Sequence, residues 1–296
     1  MNYLDKYRLY LLLECGFSTN TIEAYLRDVT RFLTWAEKCG LDALQVTLAH
    51  LHDYTWTLHE CGLAASSLSR ALSSIRSFYR YLTLEEYIAQ DPTELLSNPK
   101  QGEHLPDVLT VAEVDAILSA IDLSQAEGQR DHAIIELLYC CGLRVSELCA
   151  LTLDALYLDD GFLRITGKGS KERIVPIAPH AVEELRLWFA ARGEIDIKAG
   201  EEDYVFVSAR RGRHLSRITV FHNIKQYVAA AGIQKVVSPH TFRHTFATHL
   251  LEGGASIRAI QVMLGHERLR TTAVYTHLDR RYLREQVLAH FPRNKR

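Results

Sequence analysis

Apolar residues recur at helical spacing along most of this chain, and the places where they do not mark its joints. Ile22, Tyr25, Leu26, Val29 and Leu33 share one stripe, with Asn20 and Glu23 spaced as a capping box and Cys39-Gly40 as a stop. Helical patterns continue over 48–61 and 66–84, the latter carrying Leu68, Leu72, Ile75, Phe78 and Tyr79 on one face. Residues 1–96 therefore predict about four helices and little else. The stretch 96–103 breaks the pattern, because it is polar, aperiodic and rich in Ser, Asn, Pro and Gly. This reading gives a helical domain over 1–96, a linker over 97–105 and a second domain over 106–296.

In the second domain Thr110 and Glu113 form another capping box ahead of an apolar face of Val114, Ile117, Leu118 and Ile121. A helix over 130–141 is closed by Gly142, and a further one begins at 145–150. The runs 162–166 and 173–177 are short and rich in β-formers, and they flank Gly167-Lys168-Gly169-Ser170-Lys171-Glu172, which predicts a hairpin with Lys168 at its tip. Helical spacing resumes over 181–191, 218–231, 241–251, 257–264 and 271–277. Residues 283–292 add an amphipathic turn or two. The expected fold class is mainly α with a small β-sheet, α+β, in two domains.

Composition excludes several classes. At 296 residues with 47% hydrophobic and 24% charged residues the chain is an ordinary globular sequence. It has no apolar run of the roughly 20 residues a membrane span needs, and its first residues show no signal-peptide pattern, so a cytoplasmic location without membrane partners is expected. The six cysteines, Cys15, Cys39, Cys61, Cys140, Cys141 and Cys149, form no CxxC pair and read as free, buried thiols.

The net charge of −2 hides an asymmetry. Residues 1–100 carry −3, residues 101–204 carry −11, and residues 205–296 carry +12 with eight of the fourteen histidines. Basic charge gathered in one segment is the footprint of a phosphate-binding surface. The alternative is that the last third neutralises the acidic middle third.

Six positions in the second domain carry chemistry suited to a phosphodiester. Arg144 stands just past Gly142 at a helix start, Lys168 sits at the hairpin tip, and His240 and Arg243 are three apart on one helix face. His266 follows Gly265, and Tyr275 lies in the next short helical segment. Substitution at phosphorus gathers charge on the non-bridging oxygens, which two arginines match in fork geometry. The leaving sugar oxygen needs a proton, which a lysine of depressed pKa delivers. Tyrosine, with an ordinary pKa of about 10, needs a base and cationic neighbours to become a nucleophile. Taken singly each residue has a plainer reading: a capping arginine, a turn lysine, a packed tyrosine. His240 and His244 are spaced as zinc ligands, but the glutamate of an HExxH site is missing.

In this order and spacing the motifs resemble those of the tyrosine recombinases (the phage integrase family), and most closely the XerC/XerD type. Gly142-Leu143-Arg144-Val145-Ser146-Glu147-Leu148 is similar to the family's first arginine motif, and 166–173 to its lysine hairpin. His240-Thr241-Phe242-Arg243-His244 matches the HxxR box, and Leu264-Gly265-His266 with Tyr275-Thr276-His277 completes the set. The resemblance covers nearly the whole chain. It implies a two-domain DNA clamp, with a helical core-binding domain ahead of a catalytic one.

It also implies roles. Tyr275 attacks the scissile phosphate to form a 3′-phosphotyrosyl link, and Arg144 and Arg243 hold the phosphate. Lys168 protonates the leaving 5′ oxygen, His240 assists proton transfer, and His266 positions or stabilises the phosphate. The implied partners are a double-stranded DNA recombination site, a homo- or hetero-tetramer formed on it with a second Xer-type recombinase, and an activating DNA translocase. No cofactor and no metal is implied, and the implied process is Xer-like chromosome dimer resolution through a Holliday junction. Four other readings stand beside it: an integrase of a mobile element or inversion system, a non-catalytic DNA-binding protein, a topoisomerase IB-like enzyme, and a metal-dependent nuclease. Binding alone does not require Tyr275 and both arginines together, and the nuclease needs carboxylates where only four acidic residues follow position 204.

Overall fold

A computed structural model describes residues 3–97, 108–167, 171–265 and 277–295. The chain divides into two compact units, Met1–His104 and Leu105–Arg296. In the first, α1 (Tyr3–Leu13), α2 (Thr19–Lys38), α3 (Leu48–Glu60) and α4 (Ala65–Leu84) enclose one core. The helix starting signal at Asn20 is displaced: Ser18 is the cap, with extended backbone and a hydroxyl that accepts from the Thr21 N–H at 3.4 Å. The stripe itself is correct, and Ile22, Val29 and Phe32 bury against Leu68, Leu72 and Ile75 of α4. Tyr7, Tyr54, Phe78 and Tyr79 fill the centre with edge-on ring contacts to their neighbours.

One charged group lies inside that unit. Asp28 is buried between α2 and α4, where it accepts from Arg70 at 2.9 and 3.3 Å, from Arg31 at 3.1 Å and from the Ser74 hydroxyl at 3.3 Å. Arg31 and Arg70 thus converge on an internal carboxylate, while Arg27 and Arg80 are exposed.

The second unit is built around α6 (Ala126–Cys141), whose residues from Ala133 to Cys141 are all buried. A helix apolar on every side belongs in the middle of a core. It is flanked by α8 (Pro179–Arg192) and α10 (Pro239–Glu252). α6 begins at Ala126, four residues before the start expected from the apolar pattern, because its first turn, Ala126-Glu127-Gly128-Gln129, is mostly polar. Thr110 and Glu113 cap α5 (Val111–Ser119) reciprocally, as their spacing predicts.

The hairpin forms as expected, with β2 (Phe162–Thr166) antiparallel to β3 (Glu172–Pro176) and Thr166 opposite Glu172. A strand of two residues, β1 (Leu156–Tyr157), extends the sheet in the order β1-β2-β3. The remaining helices are α7 (Val145–Cys149), α9 (Arg217–Ala230), α11 (Ile257–Leu264) and α12 (His277–His290). The terminal segment is more regular than its sequence suggested. α12 has 14 residues, and Leu283, Val287 and Phe291 enter the core of their own unit.

All six cysteines are free; Cys140, Cys141 and Cys149 are buried as expected, whereas Cys39 and Cys61 are exposed. Among the described residues no helix is long and apolar enough to cross a membrane.

Candidate active site

Gly142 places the first functional residue. It ends α6 in the left-handed region at φ 58°, and a Cβ there would meet Phe246 of α10 at 2.4 Å, so the chain turns tightly against α10. Two residues later Arg144 is the N-cap of α7 with its side chain 38% exposed. Its Nη1 donates to Glu147 Oε1 at 2.8 Å, and its backbone N–H donates to Glu147 Oε2 at 2.8 Å. The guanidinium is therefore aimed by a carboxylate one turn away, yet keeps donors for a ligand.

Glu147 is itself buried and shared. Arg173, at an inward position of β3, donates from Nη1 to Oε1 and from Nη2 to Oε2, both at 2.8 Å. Burial pushes the Glu147 carboxyl up, but the bonds and charge of Arg173, with those of Arg144, outweigh it and draw the pKa down to about 2.

Arg243, on α10, donates from Nη1 to the Gly142 carbonyl at 2.7 Å and from Nη2 to the Leu264 carbonyl at 2.5 Å. Arg173 Nε donates to the Met263 carbonyl at 2.7 Å. Two cations thus satisfy carbonyls at the C-terminus of α11, where the helix dipole also favours positive charge. Burial, followed by the charge of Arg144, draws Arg243 down to about 10, so it stays cationic at neutral pH. His240 stands at the start of α10 with its surface partly open to solvent, and its pKa is lowered by partial desolvation, then by the charges of Arg243, His244 and Arg144.

Of the six candidate residues, Arg144, His240 and Arg243 are thus brought onto one scaffold. Lys168, His266 and Tyr275 lie outside the described residues. Their neighbours in the chain do not: Gly167 closes the base of the hairpin by donating to the Lys171 carbonyl at 2.7 Å, and Gly265 caps α11 at φ 65°. Sequence reasoning gave no role to Glu147 or Arg173. The signals were a glutamate at the third position of a helix that opens on an arginine, and a charged residue in phase with the buried side of a strand.

The basic last third neutralises part of the acidic middle third and leaves other arginines exposed. Lys235 pairs with Glu113, Arg210 with Glu127, and Arg293 with Asp115 and Glu136 of the acidic middle third. Exposed Arg211, Arg213, Arg217, Arg258, Arg281 and Arg284 form no ion pair among the described residues. Among those residues the one group able to offer three metal ligands is Glu136, Cys140 and His180. Glu136 already pairs with Arg293 there, and the histidines of α10 are not part of the group.

Comparison with known proteins agrees with the motifs. The family described as "Phage integrase, N-terminal SAM-like domain" matches residues 4–86, and "Phage integrase family" matches residues 107–281. The tyrosine recombinase XerD of Chlorobaculum tepidum is 40% identical over 293 residues, covering 98% of this chain and 96% of that protein. XerD of Pseudomonas putida is 42% identical over 294 residues, covering 98% and 97%. Among solved structures, XerA recombinase is 32% identical with 98% of each chain covered and a TM-score of 0.51. XerH bound to a palindromic difH substrate in a post-cleavage complex, 23% identical over 90% of this chain and 79% of that one, shares the fold with a TM-score of 0.72. The chain belongs to the phage integrase family and is a tyrosine recombinase.

Proposed function

We propose that this chain is an Xer-like site-specific recombinase that binds a double-stranded DNA recombination site, with Arg144, Lys168, His240, Arg243, His266 and Tyr275 as its catalytic residues. The observation that carries the assignment is the shared scaffold: Arg144 caps α7 just after the α6 turn, Arg243 is tied to that turn and to the end of α11, and His240 stands three residues before Arg243 on α10. Such a fixed pair of guanidiniums stabilises charge that develops on the phosphate without having to reorganise.

In the forward step the Tyr275 oxygen bonds to phosphorus and gives up its proton, with His240 assisting. The bond from phosphorus to the 5′ oxygen breaks, and Lys168 supplies the proton that oxygen takes. His266 supports the phosphate. The product is a 3′-phosphotyrosyl link and a free 5′-hydroxyl. Attack by a 5′-hydroxyl of a partner duplex reverses the chemistry and joins new strands, so the energy of the original bond is kept in the ester. Pairwise exchange then passes through a Holliday junction.

The remaining assignments rest on the sequence pattern and on the resemblance its motifs carry. They are a helical core-binding domain over 1–96, a linker over 97–105, and a catalytic domain over 106–296. They also include a homo- or hetero-tetramer on DNA with a second Xer-type recombinase, an activating DNA translocase, chromosome dimer resolution as the process, and the cytoplasm as its place. The test is covalent trapping on nicked suicide DNA carrying a candidate site, in chelator, with the parent beside Tyr275→Phe. A denaturation-resistant complex formed by the parent and lost in the variant is expected. No complex on a site the protein binds would overturn the phosphotyrosine assignment, and a complex retained by Tyr275→Phe would overturn Tyr275.

A further inference from the structure

Arg173 takes no part in the chemistry set out above, yet its surroundings are built with care. It is 5% exposed at an inward position of β3. Both of its terminal nitrogens are engaged by Glu147, its Nε by the Met263 carbonyl, and a Cβ on Gly265 would meet its Cδ at 3.0 Å. One planar group is therefore fixed on three sides: to α7 through Glu147, to the last turn of α11 through Met263, and under the glycine that ends that helix.

Stability does not explain this arrangement. Burying an ion pair gains little over a well-packed apolar pair of the same volume, because desolvation offsets the attraction. Phosphate binding does not explain it either. Its charge is matched by Glu147 and all of its nitrogens already donate within the protein, which leaves the pull on a phosphate to Arg144 and Arg243. What the arrangement does supply is position. Arg173 lies two residues beyond Lys171, whose carbonyl closes the hairpin base on Gly167, next to Lys168 in the chain. Gly265 directly precedes His266. Glu147, held by Arg173, in turn aims Arg144.

Resting on the catalytic assignment above, we propose that Arg173 is a positioning residue of the cleavage reaction: it locks the base of the lysine hairpin and the end of α11 to the Arg144 turn, so that Lys168 and His266 meet the phosphate in register. An arginine is needed because its fork serves both carboxylate oxygens and a third acceptor at once, which the point charge of a lysine cannot do.

The test compares the parent with Arg173→Lys in three measurements: thermal unfolding, DNA affinity by mobility shift, and single-turnover cleavage of suicide DNA. Affinity within about 3-fold and a still cooperative, though lowered, unfolding transition are expected, together with cleavage slower by about 100-fold, the scale of a 1 Å misplacement in an active site. A substrate with sulfur in place of the scissile 5′ oxygen separates positioning from general damage. A thiolate departs without a proton, so the sulfur substrate restores at least about 10-fold of the lost rate if the defect lies in delivery from Lys168.

Cleavage at the parent rate, parallel loss of affinity and rate, or no recovery with sulfur would each overturn the proposal. Should Arg173→Lys fail to fold, the double variant Glu147→Gln/Arg173→Gln, measured beside Glu147→Gln alone, removes both buried charges together and leaves only the part-exposed Arg144 without its carboxylate. It is expected to bind DNA and cleave slowly, and cleavage at the parent rate would overturn the proposal. Failure of the catalytic assignment itself looks different, because the parent then forms no Tyr275-dependent complex on either substrate.

Discussion

At the scale of single residues, Glu147 links the acid–base state of the protein to its candidate active site. Arg173 and Arg144 draw its carboxyl down to about 2 from an ordinary 4.5, and its side chain is only 4% exposed, so solvent screens little of their attraction. A folded pKa below the unfolded one stabilises the protein at every pH above the unfolded value. That stabilisation is lost as pH falls from about 4.5 towards 2. A difference of this size corresponds to about 3 kcal/mol. Glu147→Gln is therefore expected to destabilise the second unit by about 3 kcal/mol at pH 7, since it leaves Arg173 without its anion. Urea unfolding of the two proteins across pH checks this. The gap between them should narrow below pH 4.5 as the parent carboxyl takes up its proton. A gap that stays constant down to pH 3 would refute the assignment of the shift.

At the scale of elements, turns decide where helices point, and two glycines separate conformation from packing. Gly142 and Gly40 both adopt left-handed backbone, at φ 58° and 69°, but a Cβ on Gly142 meets Phe246 at 2.4 Å whereas nothing lies within 4 Å of one on Gly40. Gly40→Ala should cost about 1 kcal/mol from the backbone alone. Gly142→Ala should cost about 2–4 kcal/mol, because α10 must also move. Thermal unfolding measures both, and equal losses would mean that Phe246 gives way freely. The same comparison shows what was legible in the sequence. A glycine after an apolar run announces the end of α6, and Thr110 with Glu113 announces the start of α5, because both signals are local. Ser18 outcompeted Asn20 because a cap is chosen by the backbone angle of the entering chain, which residue spacing does not encode. β1 has two residues, too few for a period, and it exists only because β2 is there to pair with. The candidate catalytic residues were readable from their motifs. The Glu147–Arg173 clamp spans 26 positions and owes its meaning to burial, which no local pattern reports.

At the scale of the whole molecule, the question is how a chain of net charge −2 holds a polyanion. The answer lies in where its charges are matched. Asp28 takes up Arg31 and Arg70 inside the first unit, and Glu147 takes up Arg173 beside the active site. Glu113, Asp115 and Glu136 take up Lys235 and Arg293. A few acidic residues thus work as internal partners of cations, while exposed arginines of the last third stay without ion pairs among the described residues. The sum of charges is then a poor guide to the field that DNA meets. Phosphate contacts by such arginines release condensed counterions, and each neutralised phosphate adds about 0.9 to the slope of log affinity against log salt on duplex DNA. With six or more contacts, affinity for a recombination site should fall by roughly 1,000-fold or more between 50 and 200 mM salt. Arg258→Gln and Arg281→Gln probe this separately. A variant that removes one phosphate contact should lower the slope by about 1 and weaken every DNA sequence alike. Binding titrations over that salt range decide the matter. A flat response would show that the basic third neutralises the acidic one and contributes nothing to DNA.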